Sequence, residues 1–204
     1  YGGFTLFGVN TGLRGDALAG VIEQSQARML VVDERLLPEL ERVRSRLSRI
    51  PAENVLVLRT LGQAALDGSD FEECLTREVA KPGEALEAPP TAVKPEDNLM
   101  VIYTSGTTGL PKGAMLTNGN LGALIPHVSP PWGLDATSVN VVAMPLFHIG
   151  GSGWALCGMW NGAHSILFRE FVPQEVLDAL ERRRVTNALF VPAMLNFLSA
   201  VPGA

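Results

Sequence analysis

Compact apolar runs alternate with stretches of helical periodicity along most of this sequence, and a mainly parallel α/β sheet flanked by helices is the arrangement that buries both. After Asp16, residues Leu18, Val21 and Ile22 recur at helical spacing, and Met29-Leu-Val-Val32 follows as a short apolar run. Leu36, Leu37, Leu40, Val43 and Leu47 predict one amphipathic helix, and Val55-Leu-Val-Leu58 predicts the next buried strand. The opening residues, Tyr1 to Asn10, read as a strand. Between Arg59 and Asp97 the periodicity fades among Gly62, Gly68, Pro82, Gly83, Pro89, Pro90 and Pro95, a loop-rich connection rather than a boundary between domains. The pattern then resumes with strand Leu99 to Tyr103, strand Ala114 to Leu116, and a helix capped by Thr117 or Asn118 with Leu121, Leu124, Ile125 and Val128 on its apolar face. Strand Val139 to Met144 comes next, then an apolar helix around Trp154 to Trp160 and strand Ser165 to Phe168. An amphipathic helix from Pro173 to Arg183, strand Asn187 to Val191 and a last helix from Pro192 complete the series.

At 204 residues and 47% hydrophobic, the chain has enough apolar material for a substantial core. Its net charge of −5 and pI near 5.2 give no electrostatic basis for nucleic acid or an anionic membrane as partner. An anionic ligand therefore needs a local site. Cys74 and Cys157 belong to no CxxC or Cys/His cluster, which speaks against zinc and disulfides and for a reducing cytoplasm. No apolar run approaches the roughly 18 residues of a membrane span.

The segment richest in chemistry is Tyr103-Thr-Ser-Gly-Thr-Thr-Gly-Leu-Pro-Lys-Gly113, set between two expected strands. Gly106, Gly109 and Gly113 let backbone N–H groups turn toward an anion with no Cβ in the way. Ser105, Thr107 and Thr108 add hydroxyl donors, and Lys112, behind the rigid Pro111, adds a full positive charge. Together they suit a polyphosphate. The segment is not a Walker A loop, in which lysine follows the second glycine directly and is itself followed by a hydroxyl. It is expected to join two strands of one sheet and to line a cleft.

Tyr103 to Leu116 resembles the signature loop of the AMP-forming acyl-activating superfamily, which includes acyl-CoA synthetases, peptide-synthetase adenylation domains and luciferases. The resemblance implies a two-step reaction. A carboxylate attacks the α-phosphate of ATP to give acyl-adenylate and pyrophosphate, and a thiol, usually coenzyme A, then displaces AMP. It implies further that Thr104, Ser105, Gly106, Thr107, Thr108, Gly109 and Lys112 hold the β- and γ-phosphates, with Lys112 catalytic in stabilising the departing pyrophosphate, and that the Thr104 hydroxyl helps hold Mg²⁺.

Met144-Pro-Leu-Phe-His-Ile-Gly-Gly151 resembles the next motif of that family, whose histidine stands at the acyl pocket beside the attacking carboxylate; here it is His148, which the resemblance implies is catalytic. His127 and His164 have no comparable context and read as structural. Trp154 to Trp160 and Ala188 to Leu195 could line an acyl tunnel, though most of these residues read as core, and Trp154 takes no gating role. The resemblance extends to Val9-Asn-Thr-Gly-Leu-Arg14 and Ala27-Arg-Met-Leu-Val-Val-Asp33, similar to the upstream segment of fatty acyl-CoA synthetases. The aliphatic residues near His148 favour a fatty or other apolar acid as substrate.

The sequence contains no Tyr-Gly-x-Thr-Glu segment and no Thr-Gly-Asp segment, which in that family carry a magnesium-binding carboxylate and the ribose contact. The resemblance implies that residues 1–204 are part of a large N-terminal, AMP-binding domain without its C-terminal domain, and the absence of an initiator Met points the same way. A fragment of an acyl-CoA ligase is the leading expectation. A noncatalytic nucleotide-binding relative of the same fold, or an enzyme that passes its acyl group to a carrier protein, are the alternatives.

Overall fold

A computed structural model describes residues 3–59, 69–70, 92–104 and 111–203. Its elements run β1 (Leu6–Gly8), α1 (Gly15–Ser25), β2 (Leu30–Asp33), α2 (Leu37–Glu41), β3 (Val55–Leu58), β4 (Ser69–Asp70), β5 (Asn98–Thr104) and β6 (Lys112–Thr117). They continue with α3 (Asn118–Val128), β7 (Val139–Val142), α4 (Ile149–Trp160), β8 (His164–Leu167), α5 (Pro173–Arg182), β9 (Asn187–Ala188) and α6 (Pro192–Ser199). The chain divides into two compact units, Val9–Pro90 and Tyr1–Gly8 with Thr91–Ala204. No helix among the described residues is long and apolar enough to cross a membrane.

In the first unit β2, β3 and β4 form a parallel sheet in that order, with Leu30 opposite Val55 and Val32 opposite Val57. Leu18, Val21 and Ile22 of α1 are buried as their spacing requires. The single helix expected through Leu47 is instead three pieces: a 3₁₀ turn at Glu34–Leu36, α2, and a second 3₁₀ turn at Arg44–Arg46. The spacing explains this. Leu37, Leu40 and Val43 recur every three residues, the period of a 3₁₀ turn, and the Val43 and Arg46 N–H groups donate to carbonyls three residues back. Tightening the turns keeps Val43 and Leu47 in the same core as Leu37 and Leu40.

The second unit holds two sheets. In one, β5 lies between β1, which is parallel to it, and β6, which is antiparallel. Met100, Val101 and Ile102 are consecutively buried, as befits a strand covered on both faces. The antiparallel step is the short connection from β5 to β6, because a parallel return needs a crossover of a dozen residues or more. In the other sheet, all parallel, β7 lies between β8 and β9. Helix α3 starts at a reciprocal capping box in which Thr117 Oγ1 accepts from the Asn120 N–H and Asn120 Oδ1 from the Thr117 N–H. Its Leu121 and Ile125 are buried, but Leu124, expected on the same face, is 52% exposed. The last expected strand is shorter than its sequence suggested, since Val191 serves as the cap of α6.

Candidate functional site

The register of β5 and β6 fixes the two ends of the hydroxyl- and glycine-rich segment. Thr104 stands opposite Lys112, and the Thr104 hydroxyl donates to the Lys112 carbonyl at 3.3 Å. Both side chains are exposed. The segment thus joins two strands of one sheet as its sequence predicts, while Ser105, Gly106, Thr107, Thr108 and Gly109, on which the expected phosphate contacts rest, lie outside the described residues. Among the described residues no carboxylate is in ion-pair contact with Lys112. Its charge is therefore not neutralised by a described neighbour.

The base of this hairpin is tightly packed. Gly113 faces Tyr103, and a Cβ placed on Gly113 would lie 2.7 Å from Val101 Cγ1 and 3.4 Å from the Tyr103 ring. Glycine here serves packing as well as loop freedom. Tyr103 is partly buried, and desolvation raises its phenol pKa above the ordinary 10.0.

Strand β7 ends beside a second conspicuous feature. The Pro145–His148 turn closes with the His148 N–H donating to the Pro145 carbonyl at 3.1 Å, and α4 begins at once. His148 is the N-cap: its Nδ1 accepts from the Gly150 N–H at 3.1 Å, and its carbonyl accepts from the Gly151 and Ser152 N–H groups. The ring is otherwise exposed. Gly151 cannot be replaced cheaply, because a Cβ there would lie 2.2 Å from the Pro145 carbonyl oxygen and 2.5 Å from that of Met144. Gly151 thus leaves room for the chain's own backbone.

Among the described residues a contact relates the two features, and the sequence reading missed it. A Cβ on Gly8 would lie 2.8 Å from the Phe147 Cα, so the end of β1 abuts the turn that carries His148. Gly8 pairs with Ile102, two residues before Thr104. One interstrand step, two strand residues, the Gly8 contact and one peptide place the His148 and Thr104 Cα atoms within about 20 Å of each other. The only sequence signal was a glycine closing an apolar strand. The C-terminal ends of the parallel pair β1 and β5 therefore lie near the turn that follows β7, although β7 belongs to the other sheet.

Other candidate residues take structural places. Trp154 is buried, donates from Nε1 to the Val141 carbonyl at 3.0 Å, and meets Trp132 edge to face with centroids 5.2 Å apart. It is core rather than a gate. His127 bonds through Nδ1 to the Ala123 carbonyl of its own helix at 2.8 Å, and His164 lies exposed on the edge strand β8. Met194 is core, whereas Val191 and Leu195 are exposed. Thr104 is the one residue expected to hold a metal, and no group of three His, Cys, Asp or Glu side chains forms a metal cluster among the described residues. One hydroxyl suits Mg²⁺ only where phosphate oxygens and water complete the shell.

The profile of the AMP-binding enzyme family matches residues 2–204. The fatty acid–[acyl-carrier-protein] ligase ScoC of Streptomyces coeruleorubidus is 27% identical over 98% of this chain, which covers 36% of that protein. A feruloyl-CoA synthase of an Amycolatopsis species is 40% identical over 57% of the chain, covering 24% of its own length. Among solved structures, ATP-bound MatB of Rhodopseudomonas palustris superposes with TM-score 0.73 at 23% identity, over 97% of this chain and 36% of that one. A red-emitting luciferase of Phrixothrix hirtus gives TM-score 0.82 at 18% identity, over 98% and 38%. At these identities the structures speak for the fold. The matched residues span between 24% and 38% of the length of these four.

Proposed function

Because the chain belongs to the AMP-binding enzyme family, we propose that it supplies part of the phosphate and acyl sites of an ATP-dependent, AMP-forming ligase that activates a carboxylic acid and passes it to coenzyme A. The observation that carries this reading is the pairing of Thr104 with Lys112 on the sheet whose strand β1 abuts, at Gly8, the turn bearing His148. In the proposed reaction a carboxylate oxygen attacks the α-phosphate of ATP while pyrophosphate leaves. The Thr104–Gly113 hairpin holds the β- and γ-phosphates, with Ser105, Gly106, Thr107, Thr108 and Gly109 as donors, and Lys112 opposes the charge that builds on the leaving group. Mg²⁺, when bound, shields the phosphate charge, with the Thr104 hydroxyl as one of its oxygen ligands. His148 faces the incoming carboxylate.

A fatty or other apolar acid is the proposed substrate, supported by the aliphatic surroundings of His148 and by the name of the Streptomyces relative. An arylpropenoic acid is the second reading, favoured by the higher local identity to a protein named as a feruloyl-CoA synthase. Coenzyme A is the proposed acceptor and a carrier protein the alternative. A reducing cytoplasm, in keeping with the buried free thiol of Cys157, belongs to the same proposal. The test is carboxylate-dependent ATP–pyrophosphate exchange by the intact protein across fatty and aryl acids. Exchange that falls about 10²-fold or more in Lys112→Ala supports the reading. Exchange independent of any carboxylate, or unchanged in that variant, would overturn it.

A further inference from the structure

Gly8 is the last residue of β1 to pair with β5, opposite Ile102, and its φ lies outside the left-handed region that calls for glycine. What it supplies is room. A Cβ there would lie 2.8 Å from the Phe147 Cα, 3.3 Å from the Phe147 Cβ and 3.5 Å from the Leu146 carbonyl oxygen, and two of these are backbone atoms that no rotamer change moves. The turn has little freedom to yield. It is closed by the His148 N–H on the Pro145 carbonyl at 3.1 Å, and Gly151 of α4 rests against the Met144 and Pro145 carbonyls. Carbon atoms in ordinary contact stand about 3.5–4.0 Å apart, so a methyl at position 8 must drive β1 and the turn apart by about 1 Å. From Gly8 the paired strand β5 runs on two residues to Thr104, opposite Lys112, while from Phe147 the turn runs on one residue to His148. Resting on the ligase reading above, we propose that Gly8 is a positioning residue for adenylate formation: its missing side chain fixes how closely the turn approaches the sheet that carries the Thr104–Lys112 hairpin. It touches no reactant. Joining a carboxylate to an α-phosphate needs both halves of the site in register, where a misplacement of about 1 Å costs on the order of 10²-fold in rate, whereas binding ATP alone makes no demand on their spacing.

In the intact protein, Gly8→Ala should lower carboxylate-dependent ATP–pyrophosphate exchange about 10- to 100-fold per ATP-binding site counted by calorimetry, while the ATP dissociation constant holds. A merely structural role would remove sites and leave turnover per site unchanged, and that result would overturn the proposal. Thr5→Ala is the control, because it deletes the hydroxyl that donates to the Asn98 carbonyl at 3.1 Å and so loosens β1 without filling the gap at position 8. Its turnover per site should match the parent. A fall equal to that of Gly8→Ala would assign the effect to the attachment of β1 and overturn the proposal. A Phe147→Gly background removes the Cβ and frees the turn, so Gly8→Ala should there cost less in thermal midpoint and in exchange than it does in the parent; an equal cost would mean that the crowding is not against this turn. Where Gly8→Ala alone does not fold, a folded double variant supports the proposal and an unfolded one overturns it. Absence of carboxylate-dependent exchange in the unsubstituted protein would defeat the ligase reading, while the midpoints would still report whether positions 8 and 147 are in contact.

Discussion

Gly113 and Gly151 each stand where a side chain would meet atoms that cannot easily give way. Gly113→Ala should cost about 1–3 kcal/mol, because the new methyl runs into the β-branched, buried Val101, and the shift should reach Lys112 next door. Gly113→Ala combined with Val101→Ala should lose less than the two single losses together in denaturant unfolding; strict additivity would mean that the clash is absent. Gln26 poses the opposite problem. It ends α1 at φ +56, where a side chain is strained, so Gln26→Gly should raise stability by about 1 kcal/mol in the same assay, and no gain would show that its side chain repays the strain. Tyr103 gives a dependence on pH. Its folded pKa is raised by burial, so its contribution is intact below pH 10.0, the unfolded value, and is lost as pH climbs through the folded one. Stability measured above pH 10.0 should therefore fall less steeply in Tyr103→Phe than in the parent protein.

At the scale of elements, local chemistry was legible and tertiary choice was not. Thr117 was readable as a cap, and the structure adds Asn120 as its reciprocal partner. Thr117→Ala should cost about 1 kcal/mol in thermal or denaturant unfolding, and the cost should shrink when Asn120 is already alanine. A full additive loss would mean that the box does not work as a unit. Leu124 kept helical spacing with Leu121 and Val128 yet faces outward, because the core beneath α3 is filled by Leu134, Val142, Trp154 and Cys157 around Leu121 and Ile125. Spacing places a residue on a stripe but does not set how wide a stripe the neighbours will cover. The break after α2 was latent in the three-residue steps from Leu37 to Val43. Periods of 3.0 and 3.6 diverge too little over two turns to separate by eye.

For the whole molecule, the alternation of strands and helices announced a mainly parallel α/β protein, but not how the strands group. β1 joins β5 across more than ninety residues while β2 and β3 form a different sheet, a partition that depends on contacts no local pattern encodes. The same holds for the candidate site. The hairpin segment and the His148 motif were each visible as runs of residues, whereas the approach of Gly8 to Phe147 that relates them is a product of the fold. Acid activation through an acyl-adenylate makes one demand that no alternative chemistry shares. The intact protein, given Mg²⁺, ATP, coenzyme A and a carboxylic acid labelled with ¹⁸O in its carboxylate, should release AMP carrying one ¹⁸O and pyrophosphate carrying none, since the oxygen that attacks the α-phosphate leaves with AMP when the thiol takes the acyl group. Label in pyrophosphate or inorganic phosphate, or unlabelled AMP formed alongside the thioester, would contradict the account.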